Sequence, residues 1–310
     1  MESLNRMAVE LVDETIDFAE ELGVAVHNLE NGATVLDFGV EVESGIEAGL
    51  LLAEIQTAGL ATVQARIGEV AGTPRTTVEL STDSPGLALL GAQKAGWELT
   101  VDEFEALGSG PARALVAEED EYARMGYRDD FDFGVLALES TDLPDETAAQ
   151  HVADMAGIDV TGTFLPTFAT GSVAGSVAGA ARAAELAVFR LSELGYDPLE
   201  IVSASASAPL APVSYDEATA IARVNDAVAF GGRVHLQVAE AFDRFDEIHS
   251  TAGERNATFE EIYDDADWDF EELPEDLHGP AQVTVDVFGE ATHVFGETRE
   301  DLLAESFGLR

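Results

Sequence analysis

The chain has 310 residues, 46% of them hydrophobic, enough to fill the cores of two domains and too apolar for a disordered chain. Its 61 acidic and 15 basic residues give a formal net charge of -46, a field that excludes the usual electrostatic footprint of a nucleic-acid or anionic-lipid binder. Cysteine is absent, which excludes disulfides, zinc–thiolate sites and thiol catalysis.

The first predicted element is an amphipathic helix over about 4–23, with acids throughout and unlike a signal peptide. Two alternating apolar runs around Asn31-Gly32 then give the strongest hairpin signal in the chain. "IEAGLLLAEIQTAG" has helical spacing and ends on glycine, and "ATVQARIGEVAG" and "PRTTVELST" read as strands. "SPGLALLGAQKAG" reads as a short helix with Lys94 close to its C-terminal glycine. A strand at about 98–105 precedes "ALGSGPARALVAEEDEYARMG", a glycine turn opening a helix with Pro111 near its first position. "FGVLALES" is a strand, "PDETAAQHVADMAG" a helix and "TGTFLPTFA" extended. A helix, "AARAAELAVFRLSELG", leads to the run "PLEIVSASASAPLAPVS". A helix over about 215–223, the turn "NDAVAFGGR" and the strand "VHLQVAE" follow. Residues 242–279 are acid-rich and poorly periodic, a loop-rich excursion before the closing hairpin "AQVTVDVFGEATHVFG" and the terminal helix "EDLLAESFGL".

Helices and strands without a regular βαβ period, with several antiparallel hairpins, predict an α/β fold with mixed sheets of the α+β kind. The expected organisation is a first domain over 1–90 completed by 280–310, a second over 91–240, and the excursion at 241–279. The acids are spread along the chain, as "AEEDEY", "YRDDFDF" and "YDDADWDFEELPEDL" show. Such charge destabilises a compact fold in dilute salt, but at molar salt the screening length falls to about 3 Å. The composition therefore reads as that of a halophile's cytoplasmic protein. The Ala/Gly/Ser-rich run over 164–191 carries Arg182, Glu185 and Arg190 and is too weakly apolar for a membrane span. Its Gly171, Gly175 and Gly179 predict close packing in a soluble helix or loop.

Standard site patterns are absent: no P-loop, no G-x-G-x-x-G after a strand, no H-E-x-x-H and no G-x-S-x-G. The six histidines have no metal-ligand spacing and read as surface or edge residues, so no metal is expected. Arg182 and Glu185 stand at i, i+3 and are the only charges between Gly171 and Leu186. They read either as a ligand site among small residues or as a helix-surface ion pair. Gly108, Ser109 and Gly110 before a helix, with Arg113 in its first turn, suit a phosphate or carboxylate, or else an ordinary glycine cap. Asn225, Asp226, Gly231, Gly232 and Arg233 suit either a ligand-approach turn or a structural one. Lys94 is the only lysine. A helix C-terminus favours a cation, but arginine would serve equally there, whereas a compact donor with a tunable pKa requires lysine.

"LENGATVLDFGV", "EAGL", "GAQKAGW", "GSGPARAL", "APVSYDE", "NDAVAFGGR" and "ESFGL", in this order, resemble the archaeal methenyltetrahydromethanopterin cyclohydrolases from about residue 5 to the C-terminus. The acid-rich 241–279 and the small residues at 171–181 depart from that family's pattern. The resemblance implies an enzyme that reversibly hydrolyses the methenyl bridge of a reduced pterin C1 carrier to the 5-formyl form. It also implies a two-domain subunit with a pterin cleft between the domains, a homotrimer, and neither a metal nor a bound redox cofactor. The family's R-x-x-E falls on Arg182 and Glu185, and its G-A-Q-K lysine on Lys94. Glu185 is then expected to act as base, with Arg182 and Lys94 beside it. Gln93, Ser109, Gly110, Arg113, Asn225, Asp226 and Arg233 are expected to bind substrate. A non-catalytic pterin- or phosphate-binding protein, or a C1 formyl transferase, are the competing readings.

Overall fold

A computed structural model describes the chain from residue 2 to residue 309. Two compact units are present, one formed by the chain up to Thr62 with Gly86–Ala178, the other by Val63–Pro85 with Gly179 onward.

Helix α1 (Leu4–Asp17) is capped by Ser3, whose side chain accepts from the Arg6 N–H, and it buries Leu4, Ala8 and Val12. The predicted first helix breaks at Phe18, and α2 (Ala19–Leu22) ends on left-handed Gly23. β1 (Ala25–Asn28) and β2 (Thr34–Asp37) form the expected antiparallel hairpin around Asn31-Gly32. After α3 (Ile46–Gln56), the strands β3 (Thr62–Val70) and β4 (Thr73–Thr82) lie in the second unit.

A π-helix over Gly86–Gln93 replaces the expected short α-helix. β5 (Ala95–Val101) and β6 (Phe104–Ser109) pair antiparallel, so the strand expected at 98–105 spans the tip of a hairpin. Two short helices follow, α4 (Arg113–Val116) and α5 (Asp120–Met125), parted by left-handed Ala117. β7 (Gly134–Val135), β8 (Ala137–Glu139), the Asp145-capped α6 (Glu146–Ala156) and β9 (Thr163–Phe168) complete the first unit's sheet and its cover.

That sheet has strand order β1-β2-β9-β8-β6-β5, with β7 also on β9. It is mixed: β9 runs parallel to β2, β7 and β8, while the hairpins are antiparallel. Successive residues of a strand face opposite sides. On β2, Leu36 accordingly packs with Leu4, Val12, Leu52 and Ile55, whereas Val35 packs with Leu99, Leu138 and Val152.

In α7 (Val173–Ala181) the chain passes from the first unit to the second, and α8 (Ala183–Glu193) follows after a break at Arg182. The small residues of α7 serve close packing. A Cβ on Gly175 would lie 2.1 Å from the Ala169 carbonyl oxygen, and one on Gly49 of α3 2.7 Å from the Val177 side chain. No helix among the described residues is long and apolar enough to cross a membrane.

The second unit adds β10 (Ile201–Pro209), α9 (Glu217–Gly231), β11 (Arg233–Val238), α10 (Phe259–Asp265), β12 (Gln282–Val287), β13 (Thr292–Gly296) and α11 (Glu300–Ser306). Its sheet has the order β13-β12-β11-β10-β4-β3, with β11 and β12 parallel. Phe230, Phe259, Ile262, Leu302 and Phe307 form the core shared by α9, α10 and α11.

The expected grouping of 1–90 with 280–310 is corrected by strand pairing. β4 pairs with β10, Val78 opposite Ala208, and β12 with β11, Gln282 opposite Arg233. The acid-rich stretch consists largely of loops and single 3-10 turns. It also holds α10, started by a full capping box of Thr258 and Glu261.

Candidate active site

In the first unit, Lys94 follows the π-helix directly, and its N–H donates to the Leu89 carbonyl at 2.8 Å. A helix end leaves carbonyls without intrahelical partners. Here Arg113 supplies them. Its Nη2 donates to Leu90 O at 3.0 Å and its Nη1 to Ala92 O at 3.3 Å and Lys94 O at 2.5 Å. Its Nε and Nη2 also hold Glu119 through both carboxylate oxygens, at 3.0 and 2.9 Å. All five N–H donors of the guanidinium are thus used, and the side chain is 0% exposed. Arg113, expected to hold a ligand anion, has no donor left for one. Its place is structural.

Glu119 links this keystone to Lys94. The ammonium donates to Glu119 Oε2 at 3.2 Å and to Glu121 Oε1 at 2.6 Å, and the lysine side chain is 14% exposed. Burial pushes the Glu121 carboxyl up, but the hydrogen bond and charge of Lys94 outweigh it and hold the group below its ordinary value. The two carboxylates fix the lone ammonium in position. Gly96 is required by the same cluster, since a Cβ there would lie 2.7 Å from Arg113 Nε and 2.8 Å from Glu119 Oε2.

Gln93 closes the π-helix and is fully buried. Ser109 accepts from Gln56 Nε2 at 2.9 Å. Gly110 has φ +122° and donates its N–H to Ala92 O at 2.8 Å, and a Cβ there would lie 2.9 Å from Val135 O. At this helix start α4 is 4 residues long, and the N–H groups of Gly110, Ala112 and Ala114 donate to the Ala92, Val135 and Pro111 carbonyls.

In the second unit, Arg182 sits at the break between α7 and α8 and donates from Nε to Glu185 Oε2 at 3.0 Å. The pair is not a solvated surface bridge: the Glu185 side chain is 1% exposed and that of Arg182 29%. Glu185 stands in the first turn of α8, where the helix dipole favours a carboxylate. A buried carboxylate with a charge-assisted partner is a positioned base with little competing water.

"NDAVAFGGR" forms the end of α9 and the start of β11 rather than an open turn. A Cβ on Gly231 would lie 2.8 Å from Leu303, and one on Gly232 2.5 Å from Val228 O, so both glycines serve packing. Arg233 is exposed at the head of β11. Asn225 donates from Nδ2 to Ile221 O at 2.9 Å. Asp226 is 1% exposed and accepts from Phe259 N–H at 2.8 Å and Ser306 Oγ–H at 2.6 Å, tying α10 and α11 to α9.

Burial raises the Asp226 carboxyl to about 7, against the lowering pull of the Ser306 and Phe259 hydrogen bonds. A carboxyl that holds its proton more tightly in the fold stabilises it fully below the unfolded value of 3.8 and loses that contribution as pH rises towards 7. Asp226→Asn is neutral throughout. Between about pH 4 and about pH 7 its stability relative to the wild type is expected to rise by up to ~4 kcal/mol. Denaturation midpoints at constant molar KCl measure this, and a difference that stays flat with pH would refute the assignment.

Glu119 and Glu121 are invisible in the sequence as anything but two acids of an acidic run. His278 is a further omission: it is half-buried and bonded to Tyr263, not the surface residue expected.

A family profile described as Cyclohydrolase (MCH) matches residues 3–307. A protein of Halobacterium salinarum named methenyltetrahydromethanopterin cyclohydrolase is 59% identical over 310 residues, covering 100% of both chains. Proteins of the same name from Methanosphaerula palustris and Methanobrevibacter smithii are 38% identical over 315 residues and 35% identical over 325. The first covers 100% of both chains, the second 100% of this chain and 99% of its own.

Proposed function

The chain belongs to the methenyltetrahydromethanopterin cyclohydrolase family and is a hydrolase of the methenyl bridge; on that premise we propose that Glu185 is the base that activates the attacking water. The observation that carries this reading is the Glu185 carboxylate itself, 1% exposed and held by Arg182 Nε at 3.0 Å.

The methenyl carbon lies between two nitrogens in a cationic amidinium system and is already electrophilic. Glu185 removes a proton from water as the water oxygen bonds to that carbon. The tetrahedral intermediate collapses as its hydroxyl gives up its proton to form the C=O bond and the C–N10 bond breaks; N10 takes a proton, and the 5-formyl product forms with release of one proton overall. A carboxylate also suits the cationic substrate, and Arg182 keeps it oriented. We assign Lys94 the proton carried towards N10. A substrate this electrophilic requires neither metal nor redox cofactor, and we propose that none takes part. The family resemblance supports a homotrimer, which sedimentation in molar KCl tests. The acidic composition suits a cytoplasm rich in salt, where we place the protein.

Mixing the protein with the methenyl pterin in molar KCl and following the methenyl absorbance tests the activity, and a decay no faster than in buffer would refute it. Lys94→Arg keeps the charge beside Glu119 and Glu121 but alters shape and proton affinity. It is expected to lower kcat by about tenfold or more with the denaturation midpoint little changed. Full activity would remove Lys94 from the chemistry.

A further inference from the structure

We propose that Glu121 is a positioning residue for Lys94 and that, by cancelling the ammonium charge at contact distance, it sets the preference of the site for the cationic methenyl substrate over the formyl product. The inference rests on the reading, given above, that Lys94 faces the methenyl group. It takes one acid out of the run "AEEDEY", which composition alone assigns to solvation in salt.

The two carboxylates around Lys94 are not equivalent. Glu119 accepts from Arg113 Nε at 3.0 Å and Nη2 at 2.9 Å, a fork that balances its charge, and it meets the ammonium at 3.2 Å. Glu121 accepts from Lys94 Nζ at 2.6 Å. The four charges therefore form two neutral pairs, Arg113 with Glu119 and Lys94 with Glu121. Burial pushes the Glu121 carboxyl up, but the hydrogen bond and charge of Lys94 hold it below its ordinary value, so it is ionised at neutral pH.

Glu121 does not depend on Lys94 for its place. It stands in the first turn of α5. The next residue, Tyr122, is 1% exposed, and its hydroxyl donates to the Gly91 carbonyl of the π-helix at 2.9 Å. The Tyr122 ring also lies 5.8 Å from the Arg113 guanidinium. The helix that carries Glu121 is thus docked on the same π-helix that ends at Lys94. The fold holds the carboxylate opposite the ammonium, and their attraction completes the contact.

Side-chain exposures of 14% for Lys94 and 11% for Glu121 keep most water and salt away from the pair. Exposed charges at molar salt are screened over about 3 Å, but a mostly buried pair in contact is screened far less. Glu121 is thus an acid whose charge still counts in concentrated salt. The methenyl substrate carries a positive charge spread over N5, the bridge carbon and N10, and the formyl product carries none there. An uncompensated ammonium in the wall would repel the substrate and not the product. With Glu121 ionised, Lys94 stands near N10 as a donor without that repulsion.

Kinetics in both directions on the full-length protein in molar KCl test the inference. Glu121→Gln keeps an acceptor for Lys94 and removes the charge. It is expected to raise KM for the methenyl pterin about tenfold, with kcat changed by less than about threefold. For cyclisation of the formyl pterin, KM is expected to stay within about threefold while kcat falls about tenfold, as an unchanged reaction equilibrium requires. Folding is expected to survive, because the docking of Tyr122 does not involve the carboxylate. Glu121→Ala, which removes the acceptor as well, is expected to raise the methenyl KM at least as much. Asp120→Asn, an exposed neighbour losing the same charge, and Glu121→Asp, which keeps it, are expected to leave all four constants within about threefold. A methenyl KM within about twofold of wild type in Glu121→Gln, or an equal rise in both KM values, overturns the proposal. Failure of the underlying reading looks different, since Lys94→Arg would then keep full activity as well. A slow Lys94→Arg beside an unchanged methenyl KM in Glu121→Gln removes only the charge compensation.

Discussion

Glu185→Gln is expected to lower kcat for methenyl hydrolysis by about 10²–10⁴-fold, the usual span for removing a positioned general base. The substitution keeps shape and leaves an acceptor for Arg182 Nε, which now stands 3.0 Å from Glu185 Oε2. It removes only the negative charge and the capacity to take a proton. Folding is expected to survive, because a neutral amide is cheaper to bury than a carboxylate and the 29%-exposed Arg182 can turn to water. KM is expected to rise modestly, since the cationic substrate loses an attraction. Decay of the methenyl absorbance in molar KCl gives both constants, and a rate within a few-fold of wild type would show that Glu185 is not the base.

Arg113→Ala is expected to be the most damaging single change to stability, at about 3–5 kcal/mol. It removes the guanidinium donors from the Leu90 and Lys94 carbonyls at the end of the π-helix and leaves the Ala92 carbonyl with the Gly110 N–H. It also leaves Glu119 beside Glu121 with only the Lys94 ammonium between them. Arg113→Lys is expected to recover little of the loss, because an ammonium offers three donors where a planar guanidinium offers five. Denaturation midpoints at fixed salt measure both variants. A loss below about 1 kcal/mol for Arg113→Ala would contradict the keystone role.

The mixed α/β fold is legible in the sequence because its hairpins carry local signals. Asn31-Gly32 announces β1 and β2, and the alternation after Pro280 announces β12 and β13. Unit membership is not legible, because it depends on β4 meeting β10 across more than a hundred residues of chain, a pairing no local pattern encodes. Lys94 is conspicuous by scarcity, and Arg182 with Glu185 by isolation among small residues. Both signals are compositional and survive without structure. Arg113 shows the converse. An arginine after a glycine turn reads the same whether its guanidinium faces solvent or fills the end of a π-helix, and only the five bonds distinguish the two. Glu119 and Glu121 are hidden by abundance, since 61 acids leave no acid distinctive. Gly231 and Gly232 look like a turn because the sequence does not display the Leu303 and Val228 atoms that exclude a Cβ there.

Chemical rescue of Glu185→Ala tests the base most directly. Truncating a side chain this buried opens a space next to Arg182 into which a small carboxylate fits. The acidic composition suits concentrated salt, so potassium formate can replace KCl at constant ionic strength and the base is the only variable. The predicted result is a residual rate in KCl that rises saturably with formate while the wild-type rate stays level. The same residual rate in both salts, in a variant that still binds the methenyl pterin, would contradict the assignment of Glu185 as the base.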